Sequence, residues 1–236
     1  MSIFNKNWIS SGDPTLNDLL GGLGFLKGII YLIFDDTKNV SNILLTTTVA
    51  AQRMYIRHQC SDTFKIVFID ANNGYNPSFI AKTADFYHLS PKEVEKNINL
   101  LHVSTYEYLV QILENQLPHI QNLKVVLISG LLTLFKKNLL HSFEGLSNII
   151  NSIRMKLSHI SPFTIITSTS NKALYPSKLT NSKGKSCSAF VQITEDELNV
   201  IYKLLKHPRI REKQIKRAKS MILKLKSKSL TLDCFF

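Results

Sequence analysis

The chain has 236 residues, 44% of them hydrophobic, and a formal net charge of +12, enough for one sizeable α/β core and too short for two. Its cysteines, Cys60, Cys187 and Cys234, form no C-x-x-C pair, which argues against a disulfide framework or a zinc knuckle; no apolar window is long enough to span a membrane, so a soluble, cytoplasmic protein is expected. The charge is local: residues 203–228 hold eleven Lys/Arg against one acid, Glu212, whereas the rest of the chain holds 18 against 16.

Apolar, β-branched runs at 29–34, 64–69, 99–103, 124–128, 163–167 and 189–193 predict buried strands, and most segments between them predict helices. That alternation predicts a doubly wound, mostly parallel α/β sheet in a single domain. Residues 40–58 predict the first crossover helix. Ser90-Pro91-Lys92-Glu93 predicts a helix start, with Ser90 as N-cap, Pro91 in the first turn and Glu93 reaching back. Further helices are predicted over 105–116 and 145–160, the second with Ile149, Ile150, Ile153 and Leu157 at core spacing. In such a sheet the loops after 34, 70, 129 and 169 share one edge, where ligands sit.

The first of these loops, Phe34-Asp35-Asp36-Thr37-Lys38-Asn39-Val40-Ser41-Asn42, stands where a G-x-x-x-x-G-K-[ST] phosphate loop would stand. The two glycine places, the lysine place and the hydroxyl place hold Asp35, Val40, Ser41 and Asn42. Two carboxylates, Asp35 and Asp36, replace groups that would wrap and neutralise a phosphate, so electrostatics oppose that ligand.

The residues around this loop carry a resemblance. The segment 9–24 (Ile-Ser-Ser-Gly-Asp-Pro-Thr-Leu-Asn-Asp-Leu-Leu-Gly-Gly-Leu-Gly) followed by Lys27-Gly28, together with the strand 68–77 and the runs 125–129 and 165–170, resembles the RecA/RadA recombinase family. Within that family the likeness is to archaeal RadA paralogues and covers roughly residues 9–210. It implies a RecA-like fold, an archaeal source, and work in homologous recombination and DNA repair next to the nucleoid. The place of the family's catalytic glutamate holds Asn72, and that of its magnesium-supporting aspartate holds Ser129. With the loop lost as well, the expectation is a pseudo-ATPase with no catalytic residue, cofactor or metal. An ATPase completed by a partner subunit and a module that assembles proteins without DNA are the alternatives. Among the seven histidines and the scattered serines and acids, no spacing suggests a metal site or a hydrolytic constellation.

In the recombinase fold the loops after the third and fourth strands of this edge face DNA. Here the first of them carries Lys136 and Lys137, and the second Lys172, Tyr175, Lys178, Lys183 and Lys185. Lysines with an aromatic suit a phosphate backbone and an unstacked base; the same residues also suit ordinary solvated loops. The resemblance further implies a partner, a RadA recombinase or another paralogue. Family members dock through a Phe-x-x-Ala element, and Phe4 has no alanine three places on. The expectation is a chain that accepts a neighbour and caps a filament.

The expected organisation is a core at 1–202, a basic amphipathic helical tail at 203–228 and a terminal peptide at 229–236. Ile215, Ala218, Ile222 and Leu225 recur at helical steps, with Lys213, Lys216, Arg217 and Lys219 among the charges around them. A DNA-facing helix, a helix on an anionic membrane and a solvated helix end all fit that pattern, and part of it, around 209–217, also fits a final edge strand. The terminal peptide resembles the PCNA-interacting motif of sliding-clamp clients. Leu232, Phe235 and Phe236 match its three anchors, and Ser229 stands at its glutamine place. One helical turn would put the leucine and both rings on one side as an apolar plug, which implies a PCNA sliding clamp as partner.

Overall fold

A computed structural model describes residues 7–35, 40–58, 63–135, 139–169 and 188–219. The elements in chain order are β1 (Trp8–Ile9), α1 (Pro14–Leu19), β2 (Phe25–Leu26), β3 (Ile30–Asp35), α2 (Val40–Arg57), β4 (Lys65–Asp70), α3 (Pro77–Phe86), α4 (Pro91–Lys96) and β5 (Ile98–His102). They are followed by α5 (Tyr106–Gln111), β6 (Leu123–Ser129), α6 (Leu139–Leu157), β7 (Phe163–Thr169), β8 (Ser188–Glu195), β9 (Asn199–Lys206) and β10 (Lys213–Ala218).

Eight strands form one sheet in the order β10-β9-β8-β3-β7-β6-β4-β5. From β8 to β5 every pairing is parallel, and β9 and β10 extend the β8 side antiparallel. This is the doubly wound, mostly parallel sheet that the apolar runs predict. Because side chains alternate across a strand, each run feeds two cores. Tyr31, Ile33, Ile66, Phe68 and Leu127 meet Leu44, Leu45, Ile80 and Val94 from α2, α3 and α4 on one face. On the other, Leu32, Phe34, Val67, Ile69 and Ile128 meet Leu109 of α5 and Ile149, Ile153 and Leu157 of α6.

The opening segment is a compact knot. Asp13 caps α1, its Oδ1 accepting the N–H groups of Thr15 and Leu16 at 2.8 and 3.1 Å. Asn17 Oδ1 accepts from Ser11 Oγ at 2.7 Å, and Thr47 of α2 donates to Ser11 O at 3.0 Å. Gly24 has φ +100°, and a Cβ there would lie 2.3 Å from Ile9 O, so β1 and β2 close only around glycine.

Three expectations need correction. The predicted helix over 105–116 is α5 and then a π turn, Ile112–Gln116, which runs into a 3₁₀ turn at Pro118. Ser90 stands at the N-cap of α4, yet its side chain makes no cap hydrogen bond; Pro91 sets the first helical φ and leaves one fewer N–H to satisfy. The third concerns the basic tail. The expected boundary at 202 falls inside β9, and residues 213–218, read first as helix and alternatively as a final edge strand, are the edge strand β10, paired with β9 from Lys213↔Leu204 to Ala218↔Asn199. Within that stretch period two wins over period 3.6, because it turns Ile215 into the core while Gln214 and Lys216 stay exposed. Among the described residues, no helix is long and apolar enough to cross a membrane.

Candidate functional site

The parallel pairings bring the C-terminal ends of β3, β4, β6 and β7 to one edge of the sheet. In register, Asp35 lies beside Thr169 and Ile193, and Asp70 beside Ser129 and His102. Val40 and Ser41 open α2, and Asn42, exposed in its first turn, accepts the Thr46 hydroxyl at its carbonyl at 2.7 Å.

Two of the sequence-selected positions meet. Ser129 Oγ donates to Asn72 Oδ1 at 2.8 Å, joining the ends of β6 and β4. Gly130, at φ +70°, lets them approach: a Cβ there would lie 2.4 Å from Asn72 Cβ. The neighbouring carboxylate is spent on the chain itself. Asp70 is buried; its Oδ1 accepts the N–H groups of Asn72 and Gly74 at 3.2 and 3.0 Å, and its Oδ2 that of Tyr75 at 2.9 Å. His102 Nδ1 lies 3.9 Å from Oδ2. A turn of 3₁₀ helix, Leu131–Phe135, follows β6 and is tied down by residues that sequence reasoning missed: Leu132 N–H donates to Ser168 Oγ at 3.2 Å, and Thr133 Oγ1 to Ala71 O at 2.8 Å. The signal for Ser168 was a polar residue at the end of an apolar strand; nothing in the sequence pattern marks Thr133. Beneath the turn, a cavity of about 10 Å³ is lined by Leu32, Phe34, Leu131, Leu146 and Ile166, and holds at most one water.

At the opposite side of the sheet β10 gathers its basic residues. They are paired within the chain: Lys213 Nζ donates to Asp18 O at 2.8 Å, Arg217 lies 3.7 Å from Asp18, Lys216 3.4 Å from Asp196, and Lys219 3.4 Å from Glu195. Asp196, held by Asn199 first and by two backbone N–H groups and Lys216 besides, titrates well down, at about 2. These ion pairs are exposed on both sides and therefore weak. Because β10 runs parallel to β3, Ala218 ends at the same edge of the sheet as the loops after β3, β4, β6 and β7.

The structure thus joins Asn72 and Ser129 and collects Lys213, Lys216 and Arg217 on β10, with Lys219 directly after it. Lys136, Lys137, Lys172, Tyr175, Lys178, Lys183 and Lys185 lie outside the described residues, as do Ser229, Leu232, Phe235 and Phe236.

A comparison with curated proteins gives no match. The Rad51 family model, in contrast, matches residues 6–163, from the α1 knot to the first residue of β7, two-thirds of the chain. On that match and on the RecA-like sheet, the chain belongs to the Rad51 family of RecA-type recombination and repair proteins.

Proposed function

We propose that this Rad51-family chain is a non-catalytic accessory protein of DNA recombination and repair, a paralogue-type scaffold that turns over no ATP. The observation that carries this reading is the Ser129–Asn72 hydrogen bond. A nucleotide with its metal ion, which the family implies, needs a carboxylate to hold the metal and a base to direct water. Here both places hold neutral groups bonded to each other, and Asp70 uses its oxygens on three backbone N–H groups. The residues present therefore do not fit that group.

The chain's own contribution is binding. Lys136, Lys137, Lys172, Tyr175, Lys178, Lys183 and Lys185 supply cations and one ring for DNA, and Lys213, Lys216, Arg217 and Lys219 add a basic strand, with affinity falling steeply as salt rises. The core receives a recombinase or sister paralogue, and Ser229, Leu232, Phe235 and Phe236 form the peptide that engages a PCNA-type sliding clamp.

The test is turnover of ATP by the purified chain beside its Lys38→Ala variant. No difference between the two is expected; turnover that Lys38→Ala abolishes would sink the proposal. A pull-down with the full chain and with a version ending at Lys228 reads the clamp peptide separately. The clamp is expected only with the full chain, and clamp recovered equally with both removes that part of the reading.

A further inference from the structure

The turn Leu131–Phe135 is held from three strand ends at once. Leu132 N–H is taken by Ser168 Oγ of β7, and Thr133 Oγ1 lies 2.8 Å from Ala71 O beyond β4 and 2.7 Å from Gly130 O beyond β6. Thr133 N–H also reaches Gly130 O at 2.9 Å, and Ala71 N–H reaches Ser129 O at 3.0 Å. Leu131, 1% exposed, seats the turn on the α6 side of the sheet. Asn72 and Ser129 complete the set by bonding to each other.

We infer that these tethers fix the turn Leu131–Phe135 and the ends of β4 and β6 in one setting that does not depend on nucleotide, with Thr133 and Ser168 as the positioning residues of the turn. This rests on the non-catalytic reading above and deepens it: the strand ends that would answer to a bound nucleotide are tied together by Asn72, Ser129, Thr133 and Ser168. Gly130 sets how tightly the set closes, since any side chain there would displace Asn72.

Hydrogen exchange on the full chain, with and without ATP and Mg²⁺, tests this. The amides of 131–135 are expected to be protected in the absence of nucleotide and unchanged by its addition. Thr133→Val is expected to speed exchange there about tenfold while β6 keeps its protection, and Thr133→Ser to restore it. Slower exchange at 131–135 on adding ATP and Mg²⁺ overturns the inference, as does wild-type protection in Thr133→Val. Should Thr133→Val fail to fold, Ser168→Ala reads the second tether of the same turn through the Leu132 amide. Measurement of ATP turnover keeps the two readings apart: turnover with unchanged protection refutes the non-catalytic reading and leaves the fixed turn standing, whereas changed protection removes the fixed turn itself.

Discussion

Tyr202 donates its phenolic hydrogen to Asp13 Oδ2 at 2.9 Å, joining β9 to the cap of α1 across 189 residues. Both side chains are buried, and the other oxygen of the same carboxylate holds the first two free N–H groups of α1. One aspartate therefore starts a helix and anchors the antiparallel end of the sheet.

Replacing Asp13 with Ala removes a helix cap and the acceptor of a buried hydroxyl together, and should cost about 2–3 kcal/mol in urea unfolding. Tyr202→Phe, which loses one hydrogen bond and keeps the ring, should cost about 1 kcal/mol. The double variant should fall short of the sum, as expected of groups in contact.

Gly130→Ala should lower the urea midpoint by an amount equal to about 2 kcal/mol, because φ is +70° and the new Cβ meets Asn72 Cβ at 2.4 Å. Asn72→Gly in the same chain removes the colliding atom and should recover part of the loss. Equal midpoints for Gly130→Ala and wild type would show that the edge is looser than the contact implies.

His207 makes stability pH-dependent. Its Nδ1 accepts the N–H groups of Arg209 and Ile210 at 3.1 and 3.0 Å, and Nε2 lies 3.3 Å from the Tyr31 hydroxyl. Burial first, and the Arg209 charge second, push its pKa from 6.5 to about 4. Between those values the unfolded chain binds the proton and the folded chain does not, so this contribution is complete above about 6.5 and is lost as pH falls towards 4. His207→Asn, which keeps an acceptor and does not titrate, should show a shallower fall in urea midpoint from pH 7 to pH 4.5. Identical profiles would rule out the histidine as the source. Burial raises the Tyr31 hydroxyl to about 12, so it stays protonated throughout this range.

Asp18→Asn and Asp196→Asn release Arg217 and Lys216 from their exposed partners. Each should shift the urea midpoint by less than about 0.5 kcal/mol. Each should also raise the salt needed to elute the chain from single-stranded DNA, since freed cations are available to phosphates. Earlier elution would place the DNA contact away from β10. Substitution is the right instrument here, because deleting 203–228 would remove β10 and half of β9.

Five of the six parallel strands were legible because a strand buried on both faces is a continuous apolar run, as in 124–128; the sixth, β5, expected as a buried strand, is an edge strand with Asn99 and His102 exposed. Edge strands lose that signature: β10, Lys-Gln-Ile-Lys-Arg-Ala, spends its solvent-facing positions on charge, and six residues with Ile215 as their one large apolar side chain leave the period ambiguous. At the site, the replacements at 72 and 129 could be read one by one, but their mutual hydrogen bond spans 57 residues and exists only through the β4–β6 pairing. Thr133 acts through a backbone carbonyl 62 residues away, and Arg217 through an aspartate on α1. No local pattern encodes either partner.

The position of β3 in the sheet sets an order of events in the making of the molecule. Ile30 pairs with Thr164 on one side and Ser188 on the other, so the first long strand to leave the ribosome finds its neighbours only when most of the chain has followed. Until then the run 30–34 has no strand beside it, and every early contact is a placeholder. Production of this protein should therefore respond more to chaperone supply and to the speed of translation through 164–193 than to any change near the start.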